Sequence, residues 1–196
     1  MGWMQNWDTS MPHSPYQKWF GQMSLPRELS VKNGRLYQKP VRELDDMRKN
    51  EVVHSDVILE NGTIHLEGVR GRRIDMELSI RPGDPDSIYR KFAVRFAQNE
   101  EYQTSLSFRP YESVLKIDRK FSGSRRALIH QRRCKISGRE EELKLRIILD
   151  RFSAEVFVND GEQVMTATFY TDPAADGISF FADGKVRMGV VKYDLV

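Results

Sequence analysis

One cysteine, Cys134, in 196 residues excludes an internal disulfide framework, and it fits a reducing compartment such as a bacterial cytoplasm. Apolar runs are short, and none approaches the roughly 18 residues that a membrane-spanning helix needs. The first residues lack a basic stretch followed by an apolar one, so no signal peptide is read there. Only four histidines occur, His13, His54, His65 and His130; they are scattered, and none forms a metal-ligand spacing with another or with Cys134. Glycine-rich phosphate loops, nucleotide fingerprints and Ser-His-Asp signatures are missing as well. These absences predict no metal, no cofactor and no membrane partner.

Turn chemistry and strand patterning fill the chain instead. Hydrophobic residues make up 39% and charged residues 30%, enough for one core with an appendage. Asn33-Gly34, Asn61-Gly62, Asp160-Gly161 and Asp183-Gly184 each divide two runs of β-branched, aromatic or aliphatic residues. Such dipeptides supply the positive φ angles of tight hairpins, so all four are read as turns of an antiparallel β protein. Asn61-Gly62-Thr63 is formally a glycosylation sequon, and the turn reading is preferred. The predicted strands run over Val52 to Leu59, Ile64 to Glu67, Ile74 to Ile80, Phe92 to Ala97, Thr104 to Phe108, Val114 to Asp118, Leu143 to Asp150, Ala154 to Val158, Val164 to Tyr170, Ile178 to Ala182 and Val186 to Tyr193. Leu143, Leu145, Ile147 and Leu149 alternate with Lys144, Arg146 and Ile148, which gives that strand an aliphatic face for the core. One helix is expected, from Pro40 to Lys49, with Val41, Leu44 and Met47 at helical spacing. No repeat or low-complexity segment stands out.

Four motifs go further. The chain opens Gly2-Trp3-Met4-Gln5-Asn6-Trp7, continues with Met23-Ser24-Leu25-Pro26-Arg27-Glu28-Leu29, and then Leu36-Tyr37-Gln38-Lys39-Pro40-Val41-Arg42-Glu43-Leu44. Later comes Leu145-Arg146-Ile147-Ile148-Leu149-Asp150-Arg151-Phe152-Ser153-Ala154-Glu155-Val156-Phe157-Val158-Asn159-Asp160-Gly161. In order and spacing these resemble glycoside hydrolase family 32, the invertases, levanases, inulinases and sucrose-6-phosphate hydrolases. The first three resemble the end of that family's propeller, and the fourth its C-terminal sandwich. The resemblance implies that Trp3 matches a tryptophan lining the fructose pocket, where an indole face packs on sugar C–H patches. It implies fructose-containing saccharides as partners of the parent enzyme.

The family's catalytic carboxylates lie in N-D-P-N-G, R-D-P and E-C motifs, and this sequence contains none of them. Its Asp-Pro pairs follow Gly83 and Thr171, and Cys134 follows Arg133. No catalytic residue is therefore assigned. Asp150 and Glu155 are the nearest thing to a carboxylate pair, but retaining glycosidases hold theirs about 5 Å apart. Five residues of unbroken strand would point the two to opposite faces, unless the Arg151-Phe152-Ser153 bend intervenes. They are expected, with Ser153 and Asn159, to hold a turn or a contact between sandwich and propeller.

Arg119 to Arg139 carries eight basic residues and no acidic one, so the remaining 23 Lys and Arg face all 28 Asp and Glu. The segment is read as a solvated loop and strand pair balanced by Glu140, Glu141 and Glu142; with Phe121 as its only aromatic it lacks the stacking groups of a nucleic-acid binder. Cys134, set between two cations, is read as a semi-buried strand residue in preference to a reactive thiolate. Trp7 and Trp19 are assigned to core packing.

The sequence thus predicts an all-β chain, an antiparallel β-sandwich over 51–196, preceded by a propeller-blade remnant over 1–39 and a helical connector over 40–50. The expected role is non-catalytic, with self-association through the remnant; the alternative is a stand-alone, lectin-like sandwich.

Overall fold

The structure is a computed structural model describing residues 1–4, 15, 21–123, 130–136 and 142–196. Its first element is a two-stranded hairpin, β1 (Arg27–Lys32) and β2 (Arg35–Pro40), closed by Asn33-Gly34 as expected. A 3-10 helix, Arg42–Met47, leads into β3 (Arg48–Ile64). Then follow β4 (Ile74–Pro82), β5 (Lys91–Gln98), β6 (Gln103–Arg109), β7 (Val114–Phe121) and β8 (Gln131–Lys135). The last four are β9 (Leu143–Asp150), β10 (Ser153–Val158), β11 (Gln163–Thr168) and β12 (Gly177–Leu195).

All pairings are antiparallel, and two long strands organise them. The C-terminal part of β12 pairs with β4, which continues through β9 and β10 to β11. Its N-terminal part pairs with β5, which continues through β6 and β7 to β8. Along its other side β12 pairs with β3 from Phe180↔Ile64 to Leu195↔Arg48. The two layers of the sandwich therefore share β3 and β12.

This arrangement overturns two of the four expected turns. Asn61-Gly62 and Asp183-Gly184 lie inside β3 and β12, opposite one another, at a register shift between Ala182 and Lys185. They act as a β-bulge where both strands pass from one layer to the other. The Gly184 N–H donates to Asn61 Oδ1 at 2.8 Å. Gly184 has φ +99°, and a Cβ there would lie 2.8 Å from the Tyr89 Cα, so only glycine fits. A dipeptide with positive-φ propensity serves a hairpin or a bulge equally well, which is why local sequence did not separate them. Consequently Val52 to Leu59 and Ile64 to Glu67 are not two strands, nor are Ile178 to Ala182 and Val186 to Tyr193.

The helix forecast also needs correction. Pro40 is the buried last residue of β2, opposite Arg27, and only Arg42–Met47 turns, as 3-10. Leu44 is buried but Met47 is exposed, so the expected apolar stripe does not form. β11 ends at Thr168, and β8 lies within the basic stretch, where a loop and strand pair and a strand position for Cys134 are expected without bounds.

The core follows from period-2 alternation. On β9, Leu143, Leu145, Ile147 and Leu149 are buried in the main cluster, while Lys144 faces solvent. Facing residues of the other layer include Phe92, Val94 and Phe96 from β5 and Phe180 from β12. Phe96 meets Phe169 edge-on at 5.8 Å, the arrangement favoured by ring quadrupoles. As an outer edge β3 is long, and edges invite foreign strands. Bulges blunt it: from Val57 to His54 and from Val52 to Lys49, β3 advances three residues against two on β12. Asp56 and Asn50 take the positive φ angles at these steps.

Candidate functional site

Strand β10 has every residue buried. Ala154, Val156 and Val158 face the core, and on the alternate face Glu155 and Phe157 are covered by the N-terminal segment. Glu155 is the polar centre of that joint. Its Oε1 accepts the Leu25 N–H at 2.5 Å, and its Oε2 accepts from Arg27 at 2.7 Å. Arg27 also donates to Gln38 Oε1 at 3.0 Å and lies over the Phe157 ring, 5.5 Å from its centre. Around these, Leu44, Ile148 and Phe157 form a second apolar cluster with Leu25, Val164 and Leu195 packed on it. At Gly161, φ +95°, a Cβ would strike the Gln38 carbonyl, so the β10–β11 turn closes directly on β2.

A second anchor holds the connector. Asp75 has no exposure and receives Arg48 at 2.8 Å and Arg146 at 2.6 Å. Arg146 reaches Asp45 at 2.5 Å, and Arg48 reaches Glu77 at 2.5 Å while stacking on Tyr193. Burial alone would lower the pKa of both arginines, but Glu77 and Asp75 outweigh it at Arg48, and Asp75 with Asp45 outweighs it at Arg146, so each is raised above its ordinary value. The cations thus stay charged, as a buried carboxylate with two arginines requires. Asp75 went unnoticed in the sequence; its signal was a carboxylate between Ile74 and Met76, on the side of β4 away from the core. Between the joint and the outer face of β3, β4, β9 and β12 lies an open cleft of about 450 Å³, lined among others by Lys39, Ser79, Arg146, Phe157 and Gly189.

Asp150 and Glu155 do share a sheet face, because the β9–β10 register opposes Asp150 to Ser153 and Ile148 to Glu155. Asp150 is exposed, however, and both Glu155 oxygens are engaged by the N-terminal segment. Asn159 holds its own hairpin by accepting the Lys144 N–H at 3.1 Å. Trp3 bridges Met23 in a short antiparallel contact and is about half exposed. Trp7 and Trp19 lie outside the described residues.

Cys134 is half-buried on β8, and burial pushes its thiol pKa up, which leaves it a poor nucleophile. Glu142 pairs with Arg81 at 3.5 Å and Lys144 at 3.9 Å; Glu140 and Glu141, expected with it to balance the basic segment, lie outside the described residues. Among the described residues no group of three or more His, Cys, Asp or Glu could hold a metal ion, and no helix is long and apolar enough to cross a membrane.

The chain has counterparts of known family. Residues 43–195 match the family described as glycosyl hydrolases family 32 C terminal, and residues 1–40 match the glycosyl hydrolases family 32 N-terminal domain. The chain belongs to glycoside hydrolase family 32. It is 32% identical to a levanase of Bacillus sp. (strain L7) over 96% of this chain and 21% of the relative. It is 30% identical to the sucrose-6-phosphate hydrolase of Staphylococcus xylosus over 100% of this chain and 38% of the relative. The chain thus spans about a fifth to two fifths of the length of these relatives. Among solved structures, the exo-inulinase of Aspergillus awamori superposes with a TM-score of 0.80 at 20% identity, covering 100% of this chain and 40% of that one. The Lactobacillus gasseri sucrose-6-phosphate hydrolase gives 0.73 at 23% identity, over 91% of this chain and 34% of that one. At such identities these two likenesses speak to the fold, which is the family's C-terminal β-sandwich.

Proposed function

We propose that this family 32 chain acts as the non-catalytic C-terminal part of a β-fructosidase-like hydrolase of sucrose or fructans. The reading divides it into a blade remnant (1–39), a connector (40–50) and the sandwich (51–196). Supporting it above all is Glu155, whose buried carboxylate spends both oxygens on Leu25 and Arg27. A carboxylate so used holds the segment matched to the N-terminal domain on the sandwich, and it cannot also serve a glycosidic bond. In this reading the sandwich is a rigid platform for the last blade, and Trp3 contributes its ring to the fructose pocket of the parent enzyme.

The hairpin also leaves apolar side chains in water. Leu29, Val31 and Leu36 are 64%, 73% and 51% exposed, and such a row favours association. We assign this surface to self-association as a two-fold dimer, the commonest closed solution for identical surfaces. Light scattering of the full chain is expected to report a dimer that Leu29→Asp with Val31→Asp converts to a monomer.

The functional test is direct. The purified chain should release no fructose from sucrose, inulin or levan, and titration with these sugars should show no saturable binding. Fructose release that Glu155→Gln abolishes would overturn the non-catalytic reading. Saturable micromolar-to-millimolar sugar binding without hydrolysis would instead establish the lectin-like alternative.

A further inference from the structure

The outer face of the β5–β8 layer is a trough floored by short side chains and ringed by cations. Strand register sets Ala93, Ser107, Lys116 and Arg133 in one row, and Arg95, Ser105, Asp118 and Gln131 in the next. Lys91 and Arg109 stand on the other side of the first row. Ala93 and Ser107 are buried at 1% and 4% exposure, so the long side chains around them form walls. The hollow over Ser105 and Ser107 measures about 180 Å³, and it adjoins one of about 70 Å³ beside Arg109 and Arg133.

Charge on this face is unbalanced. Asp118 is committed to Lys116 at 3.1 Å, to Gln131 at 2.8 Å and to the Lys120 N–H at 3.0 Å, and Glu112 to Arg109 at 2.8 Å. Lys91, Arg95 and Arg133 make no ion pair with a described residue. Lys91 and Arg95 both rest on the Phe181 ring, at 5.4 and 5.3 Å, which holds them at the rim. Burial, and then the like charges of Arg109, Lys116 and Arg95, push the Lys91 pKa down. Cations crowded in this way repel one another until an anion joins them. Ser107 adds a hydroxyl to the floor of the hollow.

We propose that this trough binds a phosphate group, free or as the ester of a small sugar, between Lys91, Arg95 and Lys116 over Ser105 and Ser107. Phosphate supplies close to two negative charges and three acceptor oxygens, which suits cations and hydroxyls converging from three strands. A nucleic-acid strand fits less well, since the hollow is small and Phe181 lies under two cations instead of open to bases.

Calorimetric titration of the full chain with inorganic phosphate, against chloride at equal ionic strength, tests the site. Saturable one-to-one binding is expected, weakened at least tenfold in Lys91→Gln with Arg95→Gln while circular dichroism stays unchanged. In the unaltered chain, NMR should show the Lys91 ammonium pKa rising when phosphate is added, a readout that needs no variant. Glucose 6-phosphate, with glucose as control, identifies the source: tighter binding than phosphate assigns a sugar ester, equal or weaker binding the free ion. Heat no larger than that of chloride, unchanged affinity in the double variant, or binding of oligothymidylate without binding of phosphate would each overturn the proposal.

Discussion

Arg27 and Glu155 stand 128 residues apart in the chain and 2.7 Å apart in space, with side-chain exposures of 18% and 4%. Removing one partner of a pair this dry strands the other charge. Glu155→Ala should therefore lower stability by about 3–5 kcal/mol. Glu155→Gln, which keeps an acceptor for the Leu25 N–H, should cost less. Urea unfolding measures both; a loss below about 1 kcal/mol for the alanine variant would show that apolar packing alone holds the joint.

Strand β9 offers a paired control on register. Ile147 has no exposure, and Ile147→Ala should cost about 2–5 kcal/mol through transfer and cavity effects. Lys144, exposed on the opposite face, should change stability by less than about 0.5 kcal/mol when replaced by alanine. Equal losses would contradict the inward face assigned to Leu143, Leu145, Ile147 and Leu149.

The bulge pair makes a backbone prediction. Asn61→Ala removes the acceptor of the Gly184 N–H and should cost about 1 kcal/mol. Gly184→Ala should cost more, because it adds a Cβ against the Tyr89 backbone at a positive φ. Thermal melting of the two variants gives the order, and a milder effect at Gly184 would mean that the strands do not bend there.

Thiol chemistry supplies a pH test. Because burial raises the Cys134 pKa, the folded chain favours the thiol over the thiolate. Its contribution to stability is present in full below the unfolded value near 9.0 and is lost as pH rises through the folded value. Iodoacetamide should alkylate the native chain at pH 8 more slowly than the urea-unfolded chain, as mass spectrometry would report. Equal rates would mean that the thiol is not desolvated.

Strands with clear alternation were legible because one face must enter the core: β4, β5, β6 and β9 lie where the pattern put them. Family motifs carried the rest of the fold class. Local sequence failed where a residue's role depends on a distant partner. Asn61 and Gly184 look like turns until each is seen facing the other, and Asp75 looks solvated until Arg48 and Arg146 close over it. Glu155 was legible as important through its motif, but its partners at Leu25 and Arg27 lie in another part of the chain.

Sharing β3 and β12 between both layers also imposes an order of events during synthesis. Among the described residues, Arg48 to Ile64 find their sheet partners at Phe180 to Leu195, far later in the chain. A nascent chain emerging from the ribosome can form the hairpins of β5–β6 or β9–β10 early, yet neither layer closes until β12 has emerged. Until then the edges of β4 and β5 stand open together, which makes this a fold whose two layers both wait on one late strand.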